Sequence, residues 1–152
     1  MGQASRPSAS EVRKIRPNND FLDKEIEVNG AEEMSTILYV QTSGVDTPER
    51  TYAPFILGMT ARAMDIEAEI FFMIKGITIL KKGEAEKVKI GSFPALKEVI
   101  DQAIAAGVKL YLCEQSTQLL GMSRGDFIPE AKIAGAGTLN DLALDADTVI
   151  TF

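Results

Sequence analysis

The stretch Val108-Lys109-Leu110-Tyr111-Leu112-Cys113-Glu114-Gln115-Ser116-Thr117-Gln118-Leu119-Leu120 decides the fold. Its first half is a short apolar run that reads as a buried strand, and from Glu114 onward it reads as a helix. Upstream, Phe93-Pro94 opens another helix, running to Ala106 with Leu96, Val99, Ile100 and Ile104 on one face, and Gly107 suits the position just past its end. Helix, buried strand and helix in succession imply βαβ units and a parallel sheet. In such a sheet, ligands and chemistry gather beyond the carboxyl ends of the strands. Cys113, the single cysteine of the chain, stands at that point.

The same alternation extends in both directions. Ser35 to Gln41 is a continuous β-branched and aromatic run, as expected of a strand buried on both faces. Thr42-Ser43-Gly44 then turns. Thr47-Pro48 reads as a helix cap followed by a proline in the first turn, with the helix continuing to about Met64. Pro54 conflicts with that span, because an interior proline costs about 3 kcal/mol. A kink, or a late start near Tyr52, is expected. Glu67 to Ile74 is the second strand, broken at Lys75-Gly76. Ile77 to Leu80 fits either a short helix or an extended piece, and Lys81 to Lys89 reads as an exposed loop. Lys132 to Ala134 is a short apolar stretch. Gly135-Ala136-Gly137 follows, then a helix from Leu139 to Leu144 capped by Thr138, and Asp147 to Phe152 is the final strand. The expected fold is α/β, a three-layer α/β/α domain with a five-stranded parallel sheet over residues 34–152. Residues 1–33 are expected to form an N-terminal extension, partly ordered.

Composition narrows the function. The chain has 152 residues, 45% hydrophobic and 25% charged, which suffices for one domain with a sizeable core. A net charge of −6 without a basic stripe argues against nucleic acid as a partner. No apolar run approaches the ~18 residues of a membrane span. Met1 to Gly30 lacks the apolar core of a secretory signal, and one cysteine forms no internal disulfide, so a cytoplasmic location is expected. The chain has no histidine, which removes histidine-based triads and argues against a zinc site. No motif calls for a cofactor or a metal.

Five segments carry a resemblance to a known family: Leu38 to Gly44, Ala61 to Met64, Ile70 to Ile77, Val108 to Cys113 with the helix after it, and Thr148 to Phe152. In their order they resemble the DsrE/DsrF-like family, over about Ser35 to Phe152. The resemblance implies a parallel five-stranded α/β fold and assembly into homotrimers or hexamers, including heterohexamers. It also implies a place in sulfur relay, where one cysteine carries a persulfide between partners such as TusA-like proteins. The family's active cysteine follows the third strand, and Cys113 falls there. Some relatives carry a second, nearby cysteine. This chain has none, so an internal persulfide-to-disulfide cycle is excluded.

Two readings of Cys113 stand side by side. As a sulfur carrier it needs a thiolate, which a helix N-terminus or a nearby Lys or Arg favours, lowering a thiol pKa from about 8.5 to roughly 3.5–7.5. Lys75, at the end of the second strand, and Arg124, after the post-cysteine helix, are the candidate cations. Glu114 acts in the opposite direction. As packing material, Cys113 is a small buried hydrophobe, as free cysteines commonly are, and the domain is then a non-catalytic oligomeric or ligand-binding module. Thr42, Ser43, Gly44, Gly76, Gly135 and Gly137 share the carboxyl edge and are candidates to line a pocket. The Gly135-Ala136-Gly137 turn also suits a small anion, but it lacks the phosphate-loop and dinucleotide spacings, and a plain tight turn accounts for it. Asp141, Asp145 and Asp147 read as caps and surface. Phe71, Phe72 and Met73 read as strand core, and Met59, Phe127 and Ile128 as apolar residues available to a subunit interface.

Overall fold

A computed structural model describes residues 33–152. The expected extension, 1–33, falls outside the described residues except for Glu33. Five strands form one sheet: β1 (Thr36–Gln41), β2 (Glu67–Phe72), β3 (Lys109–Cys113), β4 (Ala131–Ala134) and β5 (Thr148–Thr151). Their order is β4-β3-β2-β1-β5, and every pairing is parallel. The helices are α1 (Ala53–Ala63), α2 (Leu96–Ala105), α3 (Glu114–Leu119) and α4 (Ala136–Asp145).

Alternation along the strands divides the sheet into two faces. Ile70 and Phe72 of β2 and Leu110 and Leu112 of β3 join Phe55 and Ala61 of α1 and Leu96, Val99, Ile100 and Ala103 of α2 in one large core. Leu38, Val40, Phe71, Cys113 and Ala134 lie in a smaller core, covered by Leu139, Leu142 and Ala143 of α4. Helices therefore flank both faces, as a parallel sheet requires, and the α/β architecture agrees with the sequence expectation.

The boundaries differ where local chemistry competes. Thr47-Pro48 opens only a 3-10 turn, Pro48–Arg50, and α1 begins at Ala53. Pro54 thus sits in the first turn of α1, where its missing N–H has no intrahelical partner to lose. The late start removes the conflict. The second strand ends at Phe72 rather than Ile74, and Ile74–Leu80 is a 3-10 run with Ile77, Ile79 and Leu80 buried. The supposed exposed loop after Leu80 contains a 3-10 turn, Ala85–Lys87, and buries Ala85 and Val88. The last helix starts at Ala136 with Gly135 as its cap, so Thr138 lies inside it and caps nothing. Phe127, expected at a subunit interface, is buried in the large core instead, and Met59 and Ile128 pack partly buried against that core. An isolated antiparallel bridge, Lys81 to Phe127, ties the two loops together.

Candidate functional site

Parallel pairing brings the exits of all five strands to one edge. On β3 the last residue is Cys113, level with Ala134 of β4. The next residue, Glu114, begins α3, so the chain passes from strand to helix with no intervening loop and Cys113 in the cap position. The cysteine is 6% exposed. Its thiol donates to the Gln115 side-chain oxygen at 3.6 Å, a sulfur-length contact. A Cβ placed on Gly135 would come within 3.8 Å of Gln115 Nε2 and 3.9 Å of Glu114 Oε2. Cys113, Gln115, Glu114 and Gly135 thus form one group at the β3–β4 exits. Gly137 lies one residue farther into α4, exposed.

The β2 exit provides the other wall. Phe72 is level with Leu112, so Met73, still extended at φ −140° and ψ 165°, continues the strand to the level of Cys113. Met73 packs against the small core that contains the cysteine. Ile74 follows with φ 55°, and its N–H donates to Ser116 Oγ of α3 at 2.7 Å.

The two cations expected to favour a thiolate are engaged elsewhere. Lys75 Nζ pairs with Asp46 Oδ2 at 2.6 Å, and its hydrogen bond holds the Asp46 carboxyl below its ordinary pKa. Arg124 donates to the carbonyls of Ile128 and Pro129, each at 3.0 Å, closing the loop before β4. The reason is local: each cation has an acceptor within its own or a facing turn.

Thr42, Ser43 and Gly44 leave β1, which β2 separates from β3 in the sheet. Thr42 Oγ1 donates to the Phe152 carbonyl at 2.8 Å, and the Ser43 carbonyl accepts from Gln41 Nε2 at 2.7 Å. They serve the β1–β5 side of the edge. Gly44 and Gly76 are needed for close approach. A Cβ on Gly44 would lie 2.3 Å from the Lys75 carbonyl oxygen, and one on Gly76 would lie 2.1 Å from that of Gln41. A cavity of about 300 Å³ on this edge is lined by Val45, Asp46, Lys75, Thr78, Leu120 and Met122.

Sequence reasoning missed Gln115, Met73, Ile74 and Ser116. The signal for Gln115 was its place two residues after a strand-end cysteine. Met73 had the look of ordinary strand core. A second polar cluster was also missed. Glu69, 8% exposed on β2, faces Lys109 at 3.6 Å and the Tyr111 hydroxyl at 3.4 Å. Lys109 also pairs with Glu67 at 3.3 Å, and Glu67 with Arg62. The Arg62 hydrogen bond, against the cost of desolvation and with help from Lys109, holds the Glu67 pKa below its ordinary value. Burial pushes that of Tyr111 up.

The model of the DsrE/DsrF-like family matches residues 35–152. The chain belongs to the DsrE/DsrF-like family. Its fold is also that of YchN from E. coli, with a TM-score of 0.66 at 23% identity, covering 78% of this chain and 100% of that one. MJ0760 of Methanocaldococcus jannaschii is 30% identical over 116 residues, which is 76% of this chain and 42% of that protein. The chain therefore spans less than half the length of this relative. The sulfur carrier protein DsrE2 of Allochromatium vinosum is 24% identical over 136 residues, covering 63% of this chain and 86% of that protein. Among the described residues, no helix is long and apolar enough to cross a membrane.

Proposed function

We propose that this DsrE/DsrF-like protein is a sulfur carrier that holds a persulfide on Cys113. The observation that carries the reading is the position of the chain's one thiol, at the carboxyl edge of the sheet where β3 enters α3. Similarity to a protein named as a sulfur carrier supports it. In the charging step, the Cys113 thiolate attacks the outer sulfur of a sulfane donor. A Cys113 S–S bond forms, the donor's S–S bond breaks, and the donor leaves as thiolate or sulfinate. In the discharging step, an acceptor thiolate attacks the terminal sulfur and Cys113 leaves as thiolate, so neither step needs an added oxidant or reductant. Oligomeric assembly as a trimer or hexamer, a cytoplasmic setting and an acceptor of the TusA-like kind belong to the same proposal.

Intact mass after treatment with polysulfide or a thiosulfonate is the test. The native chain gains sulfur in steps of one atom, and Cys113→Ser gains none. Equal uptake by both ends the proposal.

The burial of Cys113 favours a second reading, a non-catalytic oligomeric or ligand-binding module in which the thiol is packing. On that reading the native thiol resists a small alkylating reagent and the protein takes up no sulfur.

A further inference from the structure

A thiol that is 6% exposed has to be uncovered before it reacts. We infer that the Met73–Ile74 link is a strained cover over Cys113, which opens when Ile74 leaves the left-handed region of backbone space.

Ile74 has φ 55°. A β-branched side chain is a steric outlier there, since its Cβ branches crowd the following carbonyl. Such strain persists only when surrounding contacts over-determine it. Downstream, the 3-10 run that Ile74 opens buries Gly76, Ile77, Ile79 and Leu80, whereas the Met73–Ile74 peptide group itself is held by two hydrogen bonds. The Ile74 N–H donates to Ser116 Oγ at 2.7 Å, and the preceding carbonyl, of Met73, accepts from Gly76 N at 2.9 Å. The Ile74 side chain contributes little, being 46% exposed. Met73 is held on the β1 side by its N–H to the Gln41 carbonyl at 3.0 Å, and it is level with Cys113 on the face they share. Turning Ile74 to negative φ relieves the crowding, breaks the bond to Ser116 and rotates the chain on which Met73 is carried. The other covers, Leu139 and Leu142 on α4 and the Gln115 amide, sit on helical backbone with no positive φ at a non-glycine residue. Strain therefore selects the β2 exit as the side that opens.

The inference rests on the carrier reading for its purpose but not for its test. The experiment is alkylation of Cys113 by iodoacetamide in the native full chain, with rates compared at the limit of complete thiol ionisation. Ile74→Gly accepts positive φ without crowding, which removes the drive to open, and slows the rate about tenfold. Ile74→Val keeps the β-branch and the strain, and reacts at the native rate. Ser116→Ala removes the acceptor that holds the closed form and raises the rate roughly fivefold. An Ile74→Gly rate equal to or above the native one overturns the inference. So does an Ile74→Val rate as slow as that of Ile74→Gly, since the effect then follows side-chain bulk. Sulfur uptake is read separately by mass. A chain that gains no sulfur while its alkylation follows the strain loses the carrier role and keeps the cover.

Discussion

Cys113 was legible in the sequence as the residue at a strand exit, because an apolar run ending at a polar helix start fixes where the sheet edge lies. Its surroundings were not legible. Gln115 reaches the thiol, and the Lys75 and Arg124 head groups go elsewhere, because side-chain partners are set by where turns fold back and not by strand order. Gly76 was likewise read as a strand breaker and a candidate pocket-lining residue, with no sign of what it packs against. The structure shows that the turn after β2 passes so close to β1 that any Cβ there would lie 2.1 Å from the Gln41 carbonyl oxygen. Backbone offers no rotamer by which to yield. Gly76→Ala is therefore expected to destabilise by about 1–3 kcal/mol or more, seen as a lower midpoint in urea. Gly137→Ala, with open space around the added methyl, leaves the midpoint near the native value.

At the scale of elements, hydrophobic periodicity located the strands and helices and misjudged their ends. The first helix is an example: the start read at Thr47-Pro48 opens only a 3-10 turn, whereas the late start near Tyr52 expected from Pro54 agrees with α1 beginning at Ala53. β2 shows the opposite error. Its apolar run continues past Phe72, yet Ile74 turns away to meet Ser116. The charged residues at the other end of β2 carry a pH dependence. Glu67, held by Arg62 and Lys109, has its folded-state pKa below the unfolded value. That contribution to stability is complete above the unfolded carboxylate pKa of about 4.3 and is lost as pH falls through the lower folded value. Denaturation midpoints of the native chain are expected to drop across that acid window. Arg62→Met is expected to show a shallower drop, because it removes the largest cause of the shift.

Over the whole molecule, stability resides in the large core between the sheet and α1–α2. Phe72, fully buried and 5.7 Å from Phe55 between ring centroids, is part of it. Phe72→Ala is expected to cost about 3–5 kcal/mol. Leu144→Ala, at a position 84% exposed on α4, should change the urea midpoint little. A comparable loss from both would overturn this assignment of stability to the large core. The sequence by itself determined the α/β class, the parallel pairing and the edge on which Cys113 lies. Each of these follows from periodicity and from the short connections that join neighbouring elements. Only the tertiary structure decided the order β4-β3-β2-β1-β5, the burial of the thiol, the pairing of the nearby cations and the strain at Ile74. Those depend on hydrogen bonds and contacts between residues far apart in the chain, and a one-dimensional pattern carries no record of which distant partner satisfies which group.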